Sequence, residues 1–353
     1  MTKTKKISIT AGVSLVLLVL IYSAWNTADP KNSCASCHEI SVSVATSNHS
    51  SHREIKCVEC HGTALSNGWH SLKEKAGMLF THFSGNKKNE DIRLSEEQII
   101  GVMERCKNCH RTEYADWRSG GHSATYKQIF LDEKHNKMET PYWDCFRCHG
   151  MYYEGDIYEL MEPVDNKGPW KLKDSNMEDM PTIPCLTCHE IHTKNETRKQ
   201  VSNLKNPKAI FYEREERDVY FGLYLRADKI FLRADKLGDP KIFENGKEVI
   251  TSGEFTQNLC VQCHSPNYRH EAGTSDDRTP TGVHEGLSCN SCHSPHSNNA
   301  KNSCDNCHPA VSSCGLDVKK MNTSYASPDS PFNIHHVKCT DCHPKGIPAK
   351  KHM

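Results

Sequence analysis

The sequence contains too little apolar material for a conventional hydrophobic core of its length. Of its 353 residues, 36% are hydrophobic and 8% are aromatic, and the mean hydropathy is −0.70. It also lacks an excess of charge, because 44 basic residues balance 44 acidic ones, and this argues against a nucleic-acid-binding protein. A chain this polar needs a further source of buried apolar surface.

Cysteine, by contrast, is abundant and follows a strict pattern. Eighteen of the 19 cysteines lie in nine copies of the motif C-x-x-C-H, and Cys314 alone is left over. In this motif the two thiols bond to a c-type haem, and the histidine becomes the proximal ligand of the iron. The haem-attaching cysteines are Cys34, Cys37, Cys57, Cys60, Cys106, Cys109, Cys145, Cys148, Cys185, Cys188, Cys260, Cys263, Cys289, Cys292, Cys304, Cys307, Cys339 and Cys342. The proximal histidines are His38, His61, His110, His149, His189, His264, His293, His308 and His343.

Nine covalently bound haem c groups explain the polar composition, because porphyrins supply much of the missing apolar surface. Zinc is an alternative, since paired C-x-x-C also binds zinc, but a tetrahedral zinc site gives no reason for a histidine after every second cysteine. A disulfide framework fails in the same way, because adjacent C-x-x-C thiols are poor structural staples. The sequence leaves open that one or two motifs go unoccupied.

Histidines outside the motifs are numerous enough to give every haem a second axial imidazole. Thirteen such histidines are present, against nine proximal ones. Haems with two imidazole ligands are low-spin, and without an open position they pass electrons without binding substrate. With the C-terminal His352 set aside, the candidate distal ligands are His49, His52, His70, His82, His122, His135, His192, His270, His284, His296, His335 and His336.

One long apolar run lies at the N-terminus. Residues 7–25 carry no charge and follow Lys3, Lys5 and Lys6. The length suits a transmembrane helix, and the lysines predict a cytoplasmic N-terminus. A cleaved signal peptide is the alternative, but no convincing small-x-small cleavage site follows the run. We therefore expect a single-pass anchor in the inner membrane, with the haem-bearing chain in the periplasm.

The N-terminal part of the chain resembles a known family. The resemblance rests on C-A-S-C-H-E-I from Cys34, N-H-S-S-H from Asn48, C-V-E-C-H-G from Cys57, and the segment 69–85. In these motifs and their spacing, residues 1–85 are similar to the NapC/NirT/NrfH family of membrane-anchored quinol dehydrogenases.

This resemblance implies a quinol site beside the first haem, served by Lys73 or Lys75. The alternative is that both lysines form only the solvated face of an amphipathic helix, because apolar residues recur there at helical spacing. The chain departs from the family pattern at Ile40, where some members have a methionine that ligates the first haem. The first haem must therefore take another ligand or stay partly open.

A second, shorter resemblance lies after the third motif. The segment Y-A-D-W-R-S-G-G-H-S-A, from Tyr114 to Ala124, is similar to one in multihaem cytochromes grouped with hydroxylamine oxidoreductase and its tetrahaem partner. The resemblance implies that His122 is a distal haem ligand. The rest of the chain, beyond residue 85, is interpreted as similar to this group.

The longest interval without a motif predicts β-structure. Apolar residues alternate from Val219 to Leu225, and an Asn245-Gly246 pair lies between two further apolar pairs. Alternation around an Asn-Gly turn is a strong hairpin signal. We predict a small antiparallel β insert that braces the haem array, with a docking surface as the alternative role.

The fold class that follows is a multihaem cytochrome c, mainly α and irregular around a packed haem array, with one transmembrane helix and the β insert. The segments are residues 1–25, the cytoplasmic tip and anchor; 26–92, a NapC-like dihaem part; 93–200, a trihaem part; 201–256, the hairpin insert; and 257–353, a tetrahaem part. Cys314 is interpreted as a buried small side chain.

The predicted function is electron transfer from the membrane quinol pool, as menaquinol, or from a membrane electron donor, to a periplasmic or extracellular acceptor. The alternative is a terminal reductase of nitrite, hydroxylamine or a sulfur oxyanion at one open haem. Arg147, Tyr152 and Tyr153 near the fourth motif keep that alternative open. A subunit of an extracellular haem wire is disfavoured by the anchor. A periplasmic redox partner protein and a homo-oligomer are both compatible with the sequence.

Overall fold

The computed structural model describes six main stretches of the chain. They comprise residues 3–27, 40–62, 94–133, 140–192, 221–264 without 240 and 245, and 284–297, together with Gly77, Phe80, Phe83 and Ser84. Contacts divide the chain into unit 1, which holds residues 1–105 and 191–195, and unit 2, which holds residues 106–190 and 196–353. Several predicted residues lie outside the described part: the first, eighth and ninth motifs, Lys73, Lys75, Cys314, His70, His82, His135, His270, His335 and His336.

The N-terminal helix, α1, spans Lys3–Thr27. Large apolar side chains are exposed along it from Ile7 to Ile21. Among the described residues, however, no helix combines the length and hydropathy needed to cross a membrane. The predicted transmembrane helix over residues 7–25 is therefore not found, although the charge-free run does form a helix.

Among the described residues, three further helices begin in unit 1: α2 (Ser41–Ser47), α3 (Cys57–His61) and α4 (Glu96–Cys106). The start of α4 confirms the capping box that its sequence predicts. The Ser95 amide donates to Gln98 Oε1 at 2.7 Å, and the Gln98 amide donates to Ser95 Oγ at 3.4 Å. The helix then leads directly into the third motif.

Unit 2 contains a hydrophobic core between the third and fifth motifs. It includes the short helices α5 (Arg111–Ser119), α6 (Tyr126–Phe130) and α7 (Ile157–Leu160), and strands β1 (Met161–Glu162) and β2 (Lys171–Leu172). The core side chains are Tyr126, Phe130, Phe146, Ile157, Leu160, Met161, Trp170 and Leu172. This packed aromatic cluster surrounds the turn that carries the fourth motif.

The β insert is present as two separate hairpins rather than one sheet. Strand β3 (Gly222–Leu225) pairs with β4 (Ile230–Arg233), and β5 (Ile242–Glu244) pairs with β6 (Lys247–Val249). The second hairpin turns at Gly246 with φ of +77°, as the Asn-Gly pair predicts. Helix α8 (Phe255–Cys260) then leads into the sixth motif.

Candidate haem attachment and ligation sites

Each of the six described motifs folds as a single helical turn. In five of them the amide of the histidine donates to the carbonyl of the first cysteine at 2.8–3.1 Å, and the sixth forms α3. Because residues three and four apart lie on one face of a helical turn, both thiols and the imidazole can reach one flat macrocycle. None of the twelve cysteines in these motifs forms a disulfide. The local geometry therefore fits covalent haem attachment.

Three motif histidines each lie beside a histidine from outside the motifs. Imidazole nitrogens bind transition metals at about 2.0–2.1 Å, so two imidazoles on opposite sides of one iron have ring centres roughly 6 Å apart. The observed separations of ring centres are 6.2 Å for His61 and His192, 5.9 Å for His264 and His122, and 6.0 Å for His189 and His296. All three distances fit the two axial ligands of one haem iron. Each partner histidine is one of the predicted distal candidates.

The other distal candidates in the described part are His49, His52 and His284. His52 Nδ1 lies 3.4 Å from the hydroxyl of Ser51. The ligand role of these three histidines stays a prediction. The same holds for the six candidates outside the described residues.

The pair in unit 1 lies beside a cation that the sequence analysis did not identify. Arg105 Nη1 donates to the backbone carbonyl of Cys60 at 2.6 Å. Burial, followed by His192 and Arg105, lowers the pKa of His61 to about 4. His61 is therefore neutral at neutral pH, which leaves one ring nitrogen with the lone pair that an iron ligand needs. Only tertiary contact reveals Arg105, because it is 45 positions from Cys60.

The His122 ring in unit 2 is oriented by a backbone carbonyl. Its Nδ1 lies 3.1 Å from the carbonyl oxygen of Pro295. A carbonyl can only accept, so Nδ1 carries the proton and donates, and Nε2 keeps its lone pair. Metal-binding histidines commonly donate their second nitrogen to a carbonyl in this way. His122 therefore has the tautomer of an Nε2 metal ligand.

The fifth motif is held by the first β hairpin. The Gly222 amide donates to the carbonyl of Cys188 at 2.9 Å, and Phe221 forms a β-bridge with His189. Tyr152 adds a side-chain contact, since its hydroxyl donates to Leu186 within the motif at 2.8 Å. These contacts favour the bracing role predicted for the insert, which stays a prediction.

The polar residues near the fourth motif are engaged in the fold. Tyr152 stacks on Tyr224 with ring centres 4.3 Å apart, and burial raises the pKa of its hydroxyl. Tyr153 packs against Phe146 with ring centres 5.5 Å apart, and Arg147 pairs with Asp144 at 3.4 Å. All three side chains therefore have structural contacts, which does not favour a substrate site formed by them.

The fourth and sixth motifs approach each other through their second cysteines. Cys148 Sγ lies 3.8 Å from the carbonyl oxygen of Cys263, and Cys263 Sγ lies 3.9 Å from that of Arg147. The sixth and seventh motifs also meet, because the thiols of Cys260 and Cys289 are in hydrogen-bonding contact. The thiols that attach haem in these three motifs thus converge within unit 2.

Two family models match different parts of the chain. Residues 26–201 match the family described as outer membrane cytochrome MtrC/MtrF-like, domains II/IV, and residues 244–309 match the family described as cytochrome c3. Among individual proteins, the cytochrome c-type protein NrfH of Wolinella succinogenes is 28% identical over 171 residues, which cover 46% of this chain and 92% of that relative. No solved structure matches the chain.

Proposed function

Because the chain is a multihaem c-type cytochrome that transfers electrons, we propose that it is a relay of haems with two histidine ligands each, not a terminal reductase. The observation that carries this proposal is the pairing of three motif imidazoles with second imidazoles, at 5.9–6.2 Å between ring centres. Covalently bound haem supplies one-electron redox chemistry. An iron with both axial positions taken by imidazole leaves no position for nitrite or hydroxylamine.

The residues of the chain have three roles in this relay. The motif cysteines attach the porphyrins, the motif histidines hold the irons from one side, and histidines such as His192 hold them from the other. Occupation of every motif gives nine haems. Convergence of the fourth, sixth and seventh motifs brings attachment points of different haems close together, which supports electron exchange between them.

The proposed donor is membrane menaquinol or a membrane-bound electron donor, and the proposed acceptor is a periplasmic or extracellular redox protein. The resemblance of residues 1–85 to quinol dehydrogenases supports the donor, with Lys73 and Lys75 as candidate residues of the quinol site. Helix α1 also supports membrane association, because exposed apolar surface of this extent is stabilised by contact with lipid or another apolar surface.

Low-temperature EPR of the oxidised full-length protein tests the relay, with the haem number fixed by mass spectrometry. We expect only low-spin ferric signals, and no change when nitrite or hydroxylamine is added. A high-spin signal that shifts with either compound would identify an open haem and favour the reductase.

The quinol donor has a separate test in membranes. We expect the variants Lys73→Ala or Lys75→Ala to slow reduction of the haems by menaquinol, while dithionite still reduces them fully. Unchanged menaquinol rates in both variants would remove these lysines from the proposed site. The relay itself would then depend on the EPR result alone.

A further inference from the structure

We infer that the two segments matched by different family models exchange distal ligands within unit 2. His122 from the first segment ligates the haem on the sixth motif, and His296 from the second ligates the haem on the fifth motif. The inference rests on the proposed function in needing haems with two histidine ligands. It goes further, because it assigns particular ligands to particular motifs and makes the two segments dependent on each other.

The first half of the exchange depends on His122. This histidine lies within residues 26–201, whereas the sixth motif lies within residues 244–309. Its ring centre is 5.9 Å from that of His264, the proximal histidine of the sixth motif. The hydrogen bond from Nδ1 to Pro295 sets the tautomer in which Nε2 can bind iron.

The second half runs in the opposite direction. His296 lies in the second segment, three residues after the proximal histidine of the seventh motif. Its ring centre is nevertheless 6.0 Å from that of His189, the proximal histidine of the fifth motif in the first segment. His296 therefore pairs with a motif remote in sequence rather than with the motif it follows.

Both ligand contacts involve the tripeptide Ser294-Pro295-His296. Pro295 provides the carbonyl that orients His122, and the next residue is the ligand for the fifth motif. One short piece of backbone therefore positions the distal ligands of two haems. An ordinary aromatic contact could also give these ring distances, but both contacts, like that of His61 with His192, join a motif histidine to a histidine from outside the motifs.

The two sites have different angles between their imidazole planes, and this angle can be read in the EPR spectrum. The planes of His122 and His264 are inclined by 59°, whereas those of His189 and His296 are inclined by 25°. Nearly parallel imidazole planes give a rhombic low-spin signal, and strongly inclined planes give an anisotropic one with a large maximum g value. We therefore expect the two haems to contribute signals of different type.

The experiment replaces each distal histidine by methionine in the full-length protein. His122→Met is expected to remove one anisotropic signal, and His296→Met one rhombic signal, each with a new methionine-to-iron charge-transfer band. His352→Met serves as the control, since His352 is the one histidine outside the motifs that is not a candidate ligand. A spectrum of His122→Met in which every wild-type signal survives would overturn the assignment.

Double variants then test which motif each histidine serves. In a background where Cys260→Ser and Cys263→Ser remove the haem of the sixth motif, His122→Met should change nothing further. In a background with Cys185→Ser and Cys188→Ser, it should still remove the anisotropic signal. The reverse pattern would show that His122 serves the fifth motif and would overturn the exchange.

A second variant covers the case in which methionine is not tolerated. His122→Gly should give a high-spin haem that returns to low-spin when imidazole is added, which a merely structural histidine would not do. Absence of this rescue in a fully haem-loaded protein would contradict the inference. The proposed relay fails differently, because it would show high-spin haem in the wild-type protein.

Discussion

The same atom of the haem-attachment motif is held in both units, but by different kinds of donor. In unit 1 the carbonyl of Cys60, the second cysteine of its motif, accepts from the guanidinium of Arg105 at 2.6 Å. In unit 2 the corresponding carbonyl of Cys188 accepts from the backbone amide of Gly222 at 2.9 Å. The second motif is therefore held by a charged side chain, and the fifth motif is held by an uncharged backbone amide of a β-strand.

This difference bears on the redox potential as well as on stability. A cation near a haem favours the ferrous form, which carries one positive charge fewer than the ferric form, so Arg105 is expected to raise the potential of the haem on the second motif. The amide of Gly222 carries no charge and lacks this effect. If His122 ligates the haem of the sixth motif, as inferred above, its hydrogen bond to Pro295 would raise the basicity of the ligand and favour ferric iron. Identical motifs are therefore expected to differ in potential through their surroundings.

The largest loss of stability is expected when the first hairpin, whose Gly222 amide holds the fifth motif in unit 2, is disturbed. A Cβ at Gly222 would meet the backbone carbonyl of Leu232 and the Cα of Arg233, which cannot move independently of the hairpin. We expect Gly222→Ala to cost about 2–3 kcal/mol of folding free energy, as overpacking does elsewhere. Thermal unfolding followed by circular dichroism measures this loss.

Gly238 offers a matched control for that change. A Cβ at this position would meet no atom within 4 Å, so Gly238→Ala should leave stability unchanged or increase it by about 0.4–1 kcal/mol. Equal melting temperatures for the two variants would show that the hairpin does not support the fifth motif in the proposed way.

An intermediate loss of stability is expected when Arg105, which holds the second motif in unit 1, is replaced. Arg105→Gln removes a hydrogen bond from a charged donor and should cost about 1–2 kcal/mol, given that the side chain is partly exposed. It should also lower the potential of one haem, as measured by a redox titration followed optically. Arg105→Lys keeps the charge and should lower that potential less.

Arg53 provides the control for removal of a cation from unit 1. Its side chain is 58% exposed and pairs with Glu54 at 3.4 Å. Solvent screens such a charge, so Arg53→Gln should leave all potentials in place. If Arg53→Gln shifted a haem potential as much as Arg105→Gln does, the contact of Arg105 with the second motif would not explain the effect of its charge.

The smallest loss of stability is expected at Tyr152, which adds a side-chain hydrogen bond to the fifth motif beside the backbone bond from Gly222. Tyr152→Phe removes the hydrogen bond to Leu186 but keeps the stacked ring on Tyr224, so about 1 kcal/mol should be lost. The measurement is again thermal unfolding, with the EPR spectrum as a second observable. A large change in a haem signal would contradict a purely structural role for this tyrosine.

Local features of the fold could be predicted from the sequence, and longer-range ones could not. The capping box at Ser95 and the hairpin turn at Gly246 each depend on residues within a few positions of one another, so the local sequence predicts both. The membrane-spanning helix predicted for residues 7–25 was not found among the described residues. The division of the β insert into two hairpins was also missed, since alternation does not specify which strands pair.

The candidate site shows the same division. His122, His192 and His296 were identified as distal ligand candidates because they are histidines outside a motif in a haem-rich chain. Nothing in the sequence indicates that His122 approaches His264, or that His192 approaches His61. Arg105 was missed for the same reason, since its contact with Cys60 forms only when distant segments pack together.

The sequence by itself predicts where haem is attached, because two thiols and an imidazole within one helical turn need only local geometry to reach the same porphyrin. Only the tertiary structure decided which second histidine lies beside the second, fifth and sixth motifs, and that Arg105 lies beside the second. Those contacts join segments far apart in the chain, and their distances depend on how the hairpins and turns pack. The motifs therefore predict the attaching cysteines and the proximal histidines, whereas they do not predict which other histidine pairs with which motif.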